Sequence, residues 1–180
     1  LSDTVALSAN DGGIYKNNSG YFKWDNISKG LGISQIYGFS VHPLSSNIIN
    51  VGTQDNGLIR YSFGEYSYIV VGDGMQSIYD KDDNGTIYYT MPRGFMIKIT
   101  NDIPEVITPQ IKERKPWESK IINSELLQGI VTGFINLYMS NDKGLSWQKL
   151  TDFKDTLEIT AIEEYDDTLF IAKQNKLFIY

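Results

Sequence analysis

Three aspartates sit in glycine-rich phrases: Asp11 in Asp11-Gly12-Gly13, Asp55 in Gln54-Asp55-Asn56-Gly57, and Asp73 in Gly72-Asp73-Gly74. Two carboxylates in one cleft can hydrolyse a glycosidic bond. One protonates the leaving oxygen and the other activates water, at about 6.5–9.5 Å in an inverting pair. The same residues have a plainer use. Asp beside Gly or Asn-Gly is turn chemistry, its oxygens accepting the N–H groups of its own loop.

Other chemistry is thinner. Asp80-x-Asp82-x-Asn84-Gly85 copies the first half of a calcium loop, but Met91 stands at the twelfth position, where a bidentate Glu belongs. Calcium is therefore an option, and no other cofactor is implied. His42 is the single histidine and precedes Pro43, which disfavours a histidine metal site or a serine triad. Arg60, Arg93 and Arg114 are scattered, unlike the arginine cluster a sialidase needs for its substrate carboxylate. Lys112, Arg114 and Lys115 make the only compact basic cluster, which reads as a solvated loop. Trp24, Trp117 and Trp147 could stack on sugar rings; only Trp117, after Pro116, reads as an exposed platform. Asn17-Asn18-Ser19, Asn26-Ile27-Ser28 and Asn84-Gly85-Thr86 are glycosylation sequons.

The elements that must position these residues are strands. Runs of about four to eight residues alternate in polarity, among them Thr4–Ser8, Ile36–His42, Ile48–Thr53, Leu58–Phe63, Tyr66–Val71, Thr86–Met91, Phe95–Thr100, Leu137–Ser140, Ile159–Tyr165 and Thr168–Ala172. Tight turns at Asn56-Gly57, Asn84-Gly85 and Asp166-Asp167 separate them. No helical period is sustained. The irregular stretch from Pro104 to Gln128 reads as loop or one short helix. The fold class is all-β. The 180 residues suffice for one sizeable core. A net charge of −6 argues against a nucleic-acid surface. The absence of cysteine removes disulfides, thiolate catalysis and cysteine-bound zinc. No apolar run reaches the ~20 residues of a membrane span, so membrane insertion is not expected. The chain opens at Leu1 rather than Met, which reads as processed or trimmed.

One phrase repeats. Ser140-Asn141-Asp142-Lys143-Gly144-Leu145-Ser146-Trp147 reads S-x-D-x-G-x-S-W, and Asn18-Ser19-Gly20-Tyr21-Phe22-Lys23-Trp24 is a looser echo. The two tryptophans are roughly 120 residues apart, three units of the ~40–45 residues in a four-stranded propeller blade. In such a hairpin Asp142 accepts the turn's N–H groups, Gly144 supplies a positive φ, and Trp147 packs between neighbouring sheets. Ser140, Asp142, Gly144 and Trp147, with Gly20 and Trp24, are therefore structural residues.

Taken with the phrases NDGGIYKN, ISKGLGISQIYGFSVHP, VGTQDNGLIR, VVGDGMQSIYD and ITAIEEYDDTLFIA, this motif resembles the Asp-box (bacterial neuraminidase repeat) β-propellers of the sortilin-like and xyloglucanase-like group. The resemblance implies four to five blades, laid out at about 1–34, 35–74, 75–116, 117–156 and 157–180, within a larger propeller. The missing blades would come from the rest of a parent chain or from a second copy. It also implies an extracellular, periplasmic or cell-surface location.

Blade topology sorts loops by face. Those after the second and fourth strands emerge on one side, and the S-x-D-x-G-x-S-W hairpin on the other. On the first face fall Asp11, Gln54, Asp55, Asn56, Asp73, Arg93 and the Lys112–Lys115 segment. The expected function is a non-catalytic module binding a polysaccharide or protein there, through Gln54, Asp55, Asn56, Arg93 and Trp117. The alternative is part of a xyloglucanase-like glycoside hydrolase, in which Asp11 occupies the position of a catalytic Asp-Gly-Gly and Asp73 is its candidate partner.

Overall fold

In the strand Thr86–Met91 the neighbouring residues Tyr88 and Tyr89 are both fully buried, yet they belong to different cores. A strand whose two faces are both covered must lie in a sheet sandwiched between two others, and that arrangement governs the fold. The computed structural model describes residues 5–10, 13–17, 23–30 and 34–180. It divides into two units, Leu1–Gln35 and Ile36–Tyr180.

In the first unit, β1 (Ala6–Asn10), β2 (Gly13–Asn17) and β3 (Asp25–Asn26) form an antiparallel sheet in that order. Ser28 extends the pairing: its Oγ accepts the Ile14 N–H at 2.9 Å. Trp24 is 43% exposed rather than in a core, and among the described residues of its unit there is no second sheet to cover it.

The second unit contains four antiparallel sheets with strands in chain order. The first is β4 (Ile36–His42), β5 (Ser45–Thr53), β6 (Gly57–Ser62) and β7 (Glu65–Val70). The second is β8 (Ser77–Tyr79), β9 (Thr86–Met91), β10 (Phe95–Thr100) and β11 (Ile103–Val106). The third is β12 (Ile121–Ser124), β13 (Gly129–Gly133), β14 (Leu137–Ser140) and β15 (Gln148–Lys149). The last is β16 (Ala161–Tyr165), β17 (Thr168–Lys173) and β18 (Lys176–Ile179). Among the described residues the helical content is a single 3-10 turn, Pro92–Gly94.

Successive first strands lie against each other, β4 on β8, β8 on β12 and β12 on β16. The cores are slices between sheets. Leu58, Tyr89, Ile97 and Ile99 fill the first slice, Tyr88, Met96, Ile107, Ile121, Ile130 and Phe134 the second, and Val131, Leu137, Ile159, Ile162, Leu169 and Ile171 the third. Because side chains alternate along a strand, Ile130 and Val131 of β13 face opposite slices, as Tyr88 and Tyr89 do. These are propeller blades, up-and-down and stacked face to face, the first three with four strands and the last with three among the described residues.

The stretch from Pro104 to Gln128 differs from the expectation of loop or short helix. Most of β11 and the whole of β12 lie within it. Pro104 masks β11 in the sequence, yet it pairs with Ile99 on an edge strand, where a residue without an N–H is tolerated. β12 has only four residues, too few for alternation to register.

Candidate ligand-binding face

Strands that run up and down deliver the β5–β6 loop and the segment after β7 to the same edge of their sheet. Three contacts join them, two between backbones and one from a backbone N–H to a side chain. Gly74 N–H donates to Thr53 O at 2.8 Å, Asn56 and Gly72 form an isolated parallel bridge, and the Asp55 N–H donates to Asp73 Oδ1 at 2.8 Å. Asp55 itself has φ 63, and the Asn56 N–H closes onto Gln54 O at 2.8 Å. That is a γ-turn of the rare, strained hand. The Asp73 carboxylate holds its central N–H.

The glycines of these phrases allow the close approach. A side chain on Gly57 would strike the Val70 carbonyl, and one on Gly74 would strike Gly57 O and the Tyr89 hydroxyl. The Tyr89 hydroxyl is buried without a hydrogen-bond partner among the described residues. Its pKa is pushed up, by burial first and by the Asp73 charge second. Asn56 does not reach another sheet: its Nδ2 donates to Gln54 O at 3.2 Å, within its own loop.

The β8–β11 sheet brings Arg93 to this edge, in the 3-10 turn after its second strand, with φ 59. The Arg93 N–H donates to Trp117 O at 3.0 Å, so this turn and the segment leading into β12 are joined. Trp117 is 51% exposed. Glu113, in the same segment, turns inward. Its oxygens accept the Asn136 N–H at 3.0 Å, Asn136 Nδ2 at 2.8 Å and the Tyr138 hydroxyl at 2.7 Å. Burial pushes the Glu113 carboxyl up, but these donors overcome it and leave it below the usual range. No signal in the sequence distinguished Glu113 from its basic neighbours.

Asp73 and Arg93 thus reach the same kind of edge on neighbouring sheets, and Asp55 joins Asp73 directly. Asp11 and Gly20 lie outside the described residues.

The opposite edges carry scaffolding. In the hairpin between β14 and β15, Asp142 Oδ1 accepts the Ser146 N–H at 2.8 Å and the Ser140 hydroxyl at 2.7 Å. Bonds from the Ser146 hydroxyl, then its N–H, then Ser140 hold the Asp142 pKa down at about 2. Trp147 Nε1 donates to Ile107 O at 2.8 Å across the slice. Nearby, the calcium-like turn is occupied by protein groups. Tyr88 donates to Asp80 Oδ2, Asp82 N–H donates to Asp80 Oδ1 at 3.0 Å, and Lys143 Nζ stands 3.5 Å from both Asp80 and Asp83. No group of three or more histidine or acidic side chains placed for a metal occurs among the described residues.

No protein-family model matches the sequence, and no curated protein does. Solved structures do, at identities that show the fold alone. The extracellular domain of the hybrid two-component system BT4673 from B. thetaiotaomicron aligns with 98% of this chain at 14% identity and a TM-score of 0.68. An ancestral GH74 enzyme aligns with 94% at 16% identity and 0.62, and the GH74 xyloglucanase from Xanthomonas campestris with 97% at 14% and 0.61. The chain spans 24%, 26% and 34% of those three proteins, respectively. The neighbours are β-propellers, in agreement with the blades described above.

Proposed function

We propose that this chain is a segment of an Asp-box β-propeller acting as a non-catalytic binding module of a secreted or surface protein. Its ligand, a polysaccharide or a protein, meets the loops that follow second and fourth strands. The observation that carries this reading is the use of the carboxylates there. Asp73 holds the Asp55 N–H and Glu113 holds Asn136 and Tyr138, while Trp117 stands half out in solvent. Carboxylates committed to backbone donors suit a scaffold better than proton transfer, and an exposed indole suits a contact surface. The Ser140–Trp147 hairpin supports the Asp-box assignment, since Asp142 closes the turn and Trp147 ties it to Ile107. Further blades belong in the same reading. Tyr165, Leu177 and Ile179 leave one face of the β16–β18 sheet 65–72% exposed, a surface that another sheet of a parent chain or second copy would cover.

The test combines a glycan array with a reducing-sugar assay on xyloglucan. Binding that falls with Trp117→Ala, without release of reducing ends, is the expected result. Hydrolysis abolished by Asp11→Asn or Asp73→Asn would replace this reading with the glycosidase one.

A further inference from the structure

We propose that Arg93 and Trp117, with Lys112 of the segment that leads to Trp117, form a subsite for the negatively charged group of an acidic polysaccharide, either a uronate carboxylate or a sulfate ester. This rests on the binding-module reading and specifies its ligand.

All three arginines are described. Arg60 pairs with Asp102 and Arg114 with Glu158, each at 2.9 Å. Arg93 is exposed and has no carboxylate within ion-pair distance among the described residues. Lys112 is likewise exposed and unpaired among them. The acids of the same segment have cations of their own: Glu113 has Lys149 Nζ at 3.5 Å, and Glu118 pairs with Lys120. Although the chain carries a net charge of −6, Arg93 and Lys112 are thus left without a pairing carboxylate among the described residues.

Arg93 holds a left-handed backbone, φ 59, in the turn between β9 and β10. It is clamped by its N–H bond to Trp117 O at 3.0 Å. Gly94, with φ 66, packs so closely that a Cβ would stand 2.6 Å from Phe134 and 2.9 Å from the Lys115 side chain. Lys115 in turn donates to Pro109 O at 3.1 Å. The guanidinium and the indole thus spring from two hydrogen-bonded points on an immobilised frame, which lowers the ordering cost of binding.

A flat indole takes the apolar face of a sugar ring, and a guanidinium takes a carboxylate or sulfate through paired N–H bonds. A strongly basic nucleic-acid surface would need many more cations than this junction offers.

The experiment measures binding of the whole chain to four length-matched probes: oligogalacturonate, a sulfated oligosaccharide, a neutral xyloglucan oligosaccharide and poly-glutamate. Expected is a preference of about tenfold or more for an acidic over the neutral glycan in about 50 mM salt, weakening at about 500 mM. Arg93→Gln and Trp117→Ala should each lower acidic-glycan binding by about tenfold, Lys112→Gln by less, and Trp117→Phe should retain most of it. Circular dichroism confirms that each variant is folded. Which acidic probe binds identifies the charged group as uronate or sulfate. Equal binding of neutral and acidic glycans, or poly-glutamate binding as tightly as either, overturns this inference and leaves the binding-module reading intact. Acidic-glycan binding indifferent to Arg93→Gln does the same. Failure to bind any glycan overturns this inference, while protein capture at the same face would still satisfy the broader reading.

Discussion

The carboxylate of Asp73 accepts the backbone N–H of Asp55 at 2.8 Å, tying the segment after one sheet's fourth strand to the loop after its second. Both aspartates stood out in the sequence as candidates for chemistry. In the fold one of them braces the other's backbone, and the braced residue sits at φ 63.

Removing the brace should loosen the loop. Asp73→Ala leaves the Asp55 N–H without its acceptor and should cost roughly 0.5–1.5 kcal/mol, whereas Asp73→Asn keeps an acceptor oxygen and should cost less. Asp55→Gly should be neutral or stabilising by up to about 1 kcal/mol, because glycine adopts a positive φ without strain. Urea unfolding of the three variants checks the order. A larger loss for Asp55→Gly than for Asp73→Ala would mean that the Asp55 side chain matters more than its backbone.

Asp142 gives a pH signature. Its folded pKa of about 2 lies below the ordinary aspartate value, so its contribution is complete above that ordinary value and disappears as pH falls towards 2. The stability gap between wild type and Asp142→Asn should therefore be constant near neutrality and close between about pH 4 and pH 2. Thermal melts across that range measure it. A gap that persists unchanged at pH 2 would show that charge on Asp142 is not what the turn uses.

The sequence exposed the fold where strands are long and turns are tight. Thr86–Met91, Phe95–Thr100 and Leu137–Ser140 are strands with the limits that alternation indicates, and Asn84-Gly85 and Asp166-Asp167 are turns, whereas the turn expected at Asn56-Gly57 falls on Gln54-Asp55. It was silent where pairing is decided by neighbours. Ser77–Tyr79 is a three-residue strand held by β9 and pressed between the first strands of two other sheets, with no local pattern to reveal it. The candidate face was legible in outline, because strand parity alone brings Asp55 and Asp73 to one edge. The contacts were not. That Asp73 turns to a backbone N–H, that Glu113 points inward, and that Lys143 stands between Asp80 and Asp83 all depend on loops meeting across tens of residues.

The joint between the third sheet and the second should be sensitive at two points. Gly144 has φ 88, and a Cβ there would stand 2.7 Å from Ile107 Cβ, so Gly144→Ala combines backbone strain with overlap and should cost about 1–3 kcal/mol. Trp147→Phe keeps most of the ring packing but loses the bond to Ile107 O, a loss of about 1 kcal/mol. If Trp147→Phe proved the more damaging, the indole N–H rather than close backbone approach would be the main fastening.

Lys173 is fully buried at the end of β17, with its Nζ 2.6 Å from Asp155 Oδ1, 2.9 Å from Ile135 O and 4.3 Å from the centre of the Phe153 ring. Asp155 is partly exposed and has a second cation, Lys176, at 3.6 Å. The two partners are therefore unequal. Asp155→Ala strands a buried ammonium, while Lys173→Met leaves a carboxylate that Lys176 and water still serve, so Asp155→Ala should be the more destabilising. Adding Lys173→Met to Asp155→Ala should recover part of the loss, since it removes the stranded charge and keeps a chain of similar length. The bond from Lys173 holds the Asp155 carboxyl below its usual range. The pair's contribution is thus present at neutral pH and fades as acid protonates Asp155, and the difference between wild type and Asp155→Ala should shrink with it. Denaturation of the four members of this double-mutant cycle at neutral and acidic pH tests both statements. Additive losses at neutral pH would mean that Lys173 is held by Ile135 and Phe153 alone.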